Sequence, residues 1–145
     1  MSVFHELEVG DTHESHGRTI TEADVVNFAG VSGDHNHVHL DADTMAESHY
    51  GERIAHGMLV LSAATGLVWQ TRTVKERNAV VAFYGIDHLR FRAPVFFGDT
   101  IHIESEVIEK EEKPDSPGTG TVRYALDVKV GEETVISCEM LSLLE

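Results

Sequence analysis

The middle of the chain is its most apolar part. Residues 54–70 contain no Asp, Glu, Lys or Arg, and apolar side chains would cover nearly every side of a helix formed by them. A helix that is hydrophobic all round either spans a membrane or lies inside a protein. The apolar part is marginal for a span of about 20 residues, because Ser62, Thr65 and Gly66 interrupt it. The pattern therefore predicts a long central helix buried in the core.

After residue 78 the apolar positions begin to alternate with polar ones, which is the pattern of strands. In one segment four side chains fall on the apolar face of a strand, namely Ile101, Ile103, Ser105 and Val107. Such alternation is typical of an antiparallel sheet with one side in water. One buried helix and several antiparallel strands predict an α+β fold in which a curved sheet wraps the helix. The predicted strands are Ala79–Tyr84, Asp87–Ala93, Thr100–Ile108, Thr119–Val130 and Glu133–Leu143.

Shorter elements precede the central helix. A first short strand is predicted around residues 13–18. Thr21 and Asp24 have the spacing of a capping box, which predicts that a helix begins there. Asp41 is predicted to cap a second helix over residues 42–47. The apolar stripe of the first helix is predicted from Ala23, Val26, Phe28, Ala29 and Val31, with Gly30 and Gly33 breaking the helix into a loop.

The composition is that of a globular protein with an unusual charge. The chain has 145 residues, 41% hydrophobic and 25% charged, so we expect one domain over residues 1–145. Its formal net charge of −14 repels nucleic acids and anionic membranes, so neither is an expected partner. Only four of the eleven cations are lysines. An acidic, lysine-poor surface predicts adaptation to high salt; the alternative is a charge that serves solubility alone.

Cys138 is the only cysteine, which excludes an intrachain disulfide. It lies in a segment predicted as a strand, so we expect a small buried side chain there and not a nucleophile.

The N-terminus lacks the basic stretch and apolar core of a signal peptide, and we therefore expect a cytoplasmic protein.

The segment Ser32–His39 carries the densest candidate chemistry. It contains a carboxylate, an amide and three imidazoles directly after Gly33, whose backbone permits a sharp turn. If the segment is a turn, Asp34 and His39 converge and supply the two proton-transfer groups that adding water to a double bond requires. Asn36 between them would orient a side chain or the water.

Two other interpretations of this segment remain open from the residues alone. If the segment is extended, His35, His37 and His39 share one face of a strand and could bind a metal ion. Alternatively, Asp34 and Asn36 bond only to nearby backbone groups, and the histidines are surface residues. Gly33 and Asn36 are both turn formers, which favours the turn over the strand.

The sequence around this segment resembles a known family. Val31-Ser32-Gly33-Asp34-x-Asn36-x-Val38-His39, preceded by Phe28-Ala29 and followed by Ile54-Ala55-His56-Gly57-Met58, resembles the signature of the MaoC-like, (R)-specific enoyl-CoA hydratases. Residues 91–99 are also similar to that family's late strand and turn. The resemblance implies a hot-dog fold, in which a curved antiparallel sheet encloses a long helix and which usually pairs into a dimer.

The same resemblance implies roles for individual residues. Asp34 and His39 would be the catalytic pair, supported by Asn36, and Thr65 would face the acyl chain. One position departs from the family, which commonly has Pro after the Asn where this chain has His37. The loop could therefore be less rigid than in its relatives.

The start of the central helix is a second candidate site. Backbone N–H groups there lack intrahelical partners and the helix dipole is positive, so Gly57 could hold the thioester oxygen as negative charge develops on it. The alternative is that Gly57 only permits close packing. Met58 is predicted to line this pocket. His56 could gate or line it; the alternative is a structural histidine. Arg90 and Arg92, two apart on a predicted strand, could contact CoA phosphates; the alternative is a salt-bridged surface pair.

These observations together predict reversible hydration of a trans-2-enoyl-CoA to a 3-hydroxyacyl-CoA, without a metal or redox cofactor. The (R) configuration of the product is implied by the resemblance. The alternatives are a thioesterase on the same fold and a non-catalytic domain that binds acyl-CoA or metal. The expected partners are an acyl-CoA substrate and a second copy of the chain, in a homodimer or higher homo-oligomer.

Overall fold

A computed structural model describes all 145 residues, and its main feature is a six-stranded antiparallel sheet. The strands follow the order β1-β4-β5-β6-β3, with β2 also paired to β4. The helices are α1 (Val3–Glu6), α2 (Glu22–Ser32), α3 (His37–Leu40), α4 (Ala42–Ala46), α5 (Gly57–Thr71) and α6 (Val74–Ala79). The strands are β1 (Thr12–Glu14), β2 (Arg18–Thr19), β3 (Val80–Phe91), β4 (Thr100–Glu112), β5 (Gly120–Val130) and β6 (Glu133–Leu144).

The main core lies between α5 and one face of the sheet. Ile101 and Ile103 of β4 are fully buried there, and Ser105 and Val107 lie on the same inward face, in agreement with the alternation. The helix contributes Leu59, Val60, Leu61, Ala63, Ala64 and Leu67. The predicted α+β arrangement is confirmed.

The central helix is not enclosed on every side, contrary to the prediction from its composition. Met58 is 53% exposed and Trp69 is 47% exposed, and Ser62 and Thr65 between them are also exposed. These four positions form one stripe of the helix, which we call the open stripe of α5. The sheet covers the opposite side only. None of the six helices has the length and apolar content that a membrane span requires.

The predicted cap of α2 is confirmed in both of its bonds. The backbone N–H of Asp24 donates to Thr21 Oγ1, and the N–H of Thr21 donates to the Asp24 carboxylate. These bonds hold the pKa of Asp24 below its usual value. Asp41 caps α4 in the same way through the N–H of Thr44.

The predicted apolar stripe of α2 is wrong in three positions. The helix continues through Gly30 and ends at Gly33, which has a positive φ of 76°. Val25 and Ala29 are buried, whereas Ala23 is exposed and Val26 and Val31 are 53% and 85% exposed. The buried face therefore lies about one residue away from the predicted one.

Two segments predicted as separate strands form the single strand β3. The pairing register between β3 and β6 shifts near both ends of β3 and in its middle. β-Bulges at these shifts keep β3 continuous through Gly85 and Ile86. The predicted loop after residue 108 begins only after Glu112, where β4 ends.

Cys138 lies buried in β6, and burial raises the pKa of its thiol to about 11. It is therefore a core side chain, as predicted.

Candidate active site

The segment between α2 and α3 is a turn, and successive side chains bond to the backbone along it. Ser32 Oγ accepts the N–H of Asp34, Asp34 Oδ1 accepts the N–H of Asn36, and Asn36 Oδ1 accepts the N–H of Val38. Each acceptor lies two residues before its donor, which is the geometry that Ser, Asp and Asn favour in turns. The chain is thereby folded back, and Asp34 Oδ2 is left without a backbone partner.

His39 is held from the side opposite Asp34. Its Nδ1 lies 2.8 Å from the carbonyl oxygen of Ile54, and the N–H of Ile54 donates to the carbonyl of Val38. A carbonyl oxygen can only accept, so Nδ1 carries the hydrogen of the neutral ring. The other nitrogen, Nε2, is therefore a free acceptor.

That free nitrogen faces the carboxylate of Asp34. His39 Nε2 and Asp34 Oδ2 are 3.7 Å apart, which is too long for a direct hydrogen bond. Only 8% of His39 is exposed, whereas the Asp34 side chain is about half exposed. Two acceptors at this separation can share one water that donates a hydrogen to each. The turn therefore brings Asp34 and His39 together, as the sequence predicts.

The three alternating histidines do not form a shared face. His37 and His39 lie in the helical turn α3, and His35 and His37 are exposed while His39 is buried. Around this turn, the potential ligand atoms that come within 4.8 Å of one another belong instead to Asp34, His39 and His56. The rings of His39 and His56 are stacked, with centroids 3.7 Å apart and planes 24° apart. The nitrogen lone pairs lie in these two ring planes, and planes so close to parallel do not meet at the roughly 2 Å of a metal–nitrogen bond, so this arrangement does not favour a metal site.

The sequence leaves open whether His56 lines the substrate pocket or is a structural histidine, and the structure buries it. Only 3% of its surface is exposed, because the ring lies between His39 and Phe28. Its Nε2 lies 3.0 Å from the backbone carbonyl oxygen of Asp34. Nothing in the local sequence indicates these contacts, since Asp34 is 22 residues and His39 17 residues earlier in the chain.

The start of α5 lacks a side-chain cap. The side chain preceding each of the other five helices accepts a backbone N–H of that helix, whereas His56 accepts none at the start of α5. The first N–H groups of α5 are therefore available to an oxygen atom of a ligand. Gly57 also has a packing role, because a Cβ atom there would lie 2.7 Å from the ring of Phe91. Both interpretations of this glycine thus have support.

Two cavities adjoin the open stripe of α5. Gly57, Met58, Phe91 and Arg92 are among the residues that line a shallow apolar groove of about 430 Å³ at the start of the helix. Thr65 lines a second cavity of about 310 Å³, together with Trp69 and apolar side chains from the sheet. Thr65 is eight residues beyond Gly57, or about 12 Å along the helix.

Arg90 and Arg92 form no salt bridge, contrary to the alternative that they are an ion-paired surface couple. Arg92 Nε donates to Ser137 Oγ over 2.6 Å, and Arg90 bonds only to the neighbouring carbonyl of Leu89. Both guanidinium groups therefore remain without a carboxylate in a protein of net charge −14.

His37 occupies a position that suits proline. It is the first residue of α3, its N–H donates no hydrogen bond, and the preceding Asn36 has φ −57° and ψ 142°. This ψ lies in the extended range that a residue before proline adopts, and proline is favoured as the first residue of a helix. We expect His37→Pro to raise the free energy of unfolding by about 0.4–1 kcal/mol, because it restricts the unfolded chain. Thermal unfolding measures this gain; a lower melting temperature would contradict the geometry of the turn.

The chain is similar to named proteins over most of its length. The family model described as MaoC like domain matches residues 6–130. The chain is 37% identical to the 3-hydroxybutyryl-CoA dehydratase of Methylorubrum extorquens over 141 residues, which cover 95% of this chain and 81% of that protein. It is 46% identical over 100 residues to Protein MaoC of Klebsiella aerogenes, covering 69% of this chain but only 29% of that longer protein.

Solved structures share the arrangement of helix and sheet. The R-hydratase PhaJ1 of Pseudomonas aeruginosa matches with a TM-score of 0.77 and 36% identity, over 97% of this chain and 84% of that one. A Mycobacterium tuberculosis protein described as having a double hotdogfold matches with a TM-score of 0.83 and 20% identity, over 97% of this chain and 43% of that one. The expected hot-dog fold is confirmed.

Proposed function

Because the chain belongs to the MaoC-like dehydratase family, we propose that it is a hydro-lyase that adds water reversibly to a trans-2-enoyl-CoA and forms an (R)-3-hydroxyacyl-CoA. Its relatives carry the names of both directions of this reaction, a dehydratase and an R-hydratase. The acyl-CoA substrate and the stereochemistry come from these likenesses, at 37% and 36% identity.

The placement of Asp34 and His39 is the observation that supports the proposal best. Both groups are acceptors 3.7 Å apart, and one water can donate a hydrogen to each. As the water oxygen bonds to the β-carbon, one of the two groups takes its proton. A proton is then delivered to the α-carbon, so that H and OH are added across the double bond with no net change in the protein.

The uncapped start of α5 supplies the third part of the proposed site. Electrons of the double bond move onto the thioester oxygen as water adds, and that oxygen gains negative charge. We propose that the N–H of Gly57 donates to it, where the dipole of the 15-residue helix is positive. His56, next to Gly57, stacks on His39, so the oxygen site adjoins the acid–base pair.

The two cavities give the rest of the substrate a place. We propose that the groove at Met58 accepts the thioester end of the substrate. The cavity at Thr65, about 12 Å along the helix from Gly57, then accepts the acyl chain. Arg92, at the edge of the groove, and Arg90 are available for the phosphates of CoA. The chemistry moves only the atoms of water, so we propose that it needs no metal or redox cofactor.

Product analysis across acyl chain lengths tests this proposal. Enoyl-CoA substrates of increasing length are incubated with the protein, and the hydroxyacyl products are separated by chirality. We expect (R) products, with turnover that persists for chains long enough to reach Thr65. An (S) product would contradict the proposed stereochemistry, and no hydration at any chain length would contradict the proposed function.

A homodimer is proposed from the surface that one chain leaves uncovered. The edge strand β3 has hydrogen-bonded neighbours on one side only, and Phe83 on it is 52% exposed. Phe83 and Trp69 of the open stripe line the same cavity. A second copy would cover this surface, which fits the relative whose single chain has a double hotdogfold.

Light scattering after gel filtration measures the mass in solution. We expect twice the mass of one chain for the wild type and the mass of one chain for Phe83→Glu. The substituted carboxylate would lose its hydration in the dimer contact, which disfavours association. Val31→Glu, which places the same charge on an exposed apolar residue of α2, serves as the control and should leave the dimer intact. A monomeric wild type would overturn the proposal.

A further inference from the structure

His56 contacts both members of the acid–base pair without being part of it. Its ring stacks on the ring of His39 at 3.7 Å, and its Nε2 lies 3.0 Å from the carbonyl oxygen of Asp34. Phe28 meets the ring at 5.0 Å in an edge contact, and 3% of the residue is exposed. The side chain is therefore fixed by its neighbours and sealed from substrate.

The protonation of His56 follows from these contacts. The carbonyl of Asp34 can only accept, so Nε2 must be the donor. The other nitrogen, Nδ1, is the one buried side-chain nitrogen or oxygen in the chain that has no hydrogen-bond partner. A hydrogen on Nδ1 would lie there with no acceptor, which costs more than an unused lone pair. The tautomer with hydrogen on Nε2 is thus the one that this site accommodates.

We propose that His56 is a positioning residue of the hydratase, which fixes the backbone of Asp34 through its Nε2–H and the ring of His39 through its face. This inference rests on the proposed function. An ordinary core residue would be apolar here, since a buried imidazole with one unsatisfied nitrogen destabilises the fold. The retained polar atom, Nε2, is the one that holds the catalytic turn.

The stack is the second contact through which His56 positions the pair, because it fixes the plane of the His39 ring. The hydrogen bond and the stack act on different residues, and the relative position of Asp34 Oδ2 and His39 Nε2 depends on both. Small displacements of such groups lower turnover strongly.

Two variants separate the two contacts. His56→Gln keeps an N–H donor that can reach the Asp34 carbonyl but removes the ring, whereas His56→Phe keeps the ring but removes the donor. We expect each to lower kcat for crotonyl-CoA by about 10-fold to 100-fold while KM changes less than about threefold, because substrate does not touch His56. His102→Gln, on the outer face of β4, is the matched control and should retain the wild-type kcat.

Ring nitrogen shifts measured by NMR on the wild-type protein give a readout that does not depend on turnover. We expect His56 to carry its hydrogen on Nε2 and to leave Nδ1 unbonded; a hydrogen on Nδ1 would overturn the proposal even if both variants fail to fold. Wild-type kcat in either folded variant would also overturn it, as would a loss confined to KM. If the wild type hydrates no enoyl-CoA of any chain length, the proposed function fails, and the NMR result still decides whether His56 holds the turn.

Discussion

Asp34→Asn is expected to lower kcat for the hydration of crotonyl-CoA by at least about 100-fold. The amide can still accept the N–H of Asn36 through Oδ1, so the turn should keep its shape. Its other end becomes an NH₂ group that faces His39 Nε2, in place of a carboxylate oxygen. One acceptor of the proposed water is thereby replaced by a donor, and the pair loses one of its two proton-transfer groups.

Asp43→Asn provides the matched control for this change. Asp43 is an exposed carboxylate nine residues later, in the first turn of α4, and the substitution alters the net charge by the same amount. Steady-state kinetics should give wild-type values for it. Activity of Asp34→Asn within about threefold of the wild type would remove Asp34 from the proposed chemistry.

His39→Ala is expected to cause a loss of the same size, about 100-fold or more in kcat. The substitution removes the free Nε2 acceptor. It also leaves the carbonyl of Ile54 and the face of His56 without a partner, so we expect it to lower the free energy of unfolding by about 2 kcal/mol. Kinetics should therefore be measured well below the melting temperature of the variant.

His35→Ala separates this account from a metal site. His35 is exposed and lies in the same turn, but no acceptor or ring of the site contacts it. We expect wild-type activity in this variant. Equal losses in His35→Ala and His39→Ala would support the metal ion that the alternating histidines suggest, and would contradict the acid–base pair.

Local signals in the sequence predict the parts of the fold that depend on neighbouring residues. Thr21 and Asp24 are three apart, so their spacing alone predicts the cap that they form. The alternation of β4 likewise follows from the two-residue period of a strand, and all four predicted inward residues face the core. Asp34 and His39 are predictable as a pair because they lie only five positions apart, on either side of a turn.

Features set by distant parts of the chain are not predictable in this way. The buried face of α2 depends on how the helix is rotated against its neighbours, and the apolar pattern wrongly places Val31 in the core. The open stripe of α5 exists because the sheet covers one side of an apolar helix, which composition cannot reveal. The contacts of His56 join residues 17 and 22 positions apart, and its burial decides between the pocket-lining and structural roles that the sequence leaves open.

The fate of crotonyl-CoA in a single reaction tests the proposed chemistry at its centre. The enoyl thioester absorbance and the release of free CoA thiol are followed together with the wild-type protein. Addition of water by Asp34 and His39 predicts that the absorbance falls while no thiol appears, and that the fall is abolished in Asp34→Asn. Thiol release that matches the fall in absorbance would mean hydrolysis at the carbonyl carbon, and would contradict a hydratase.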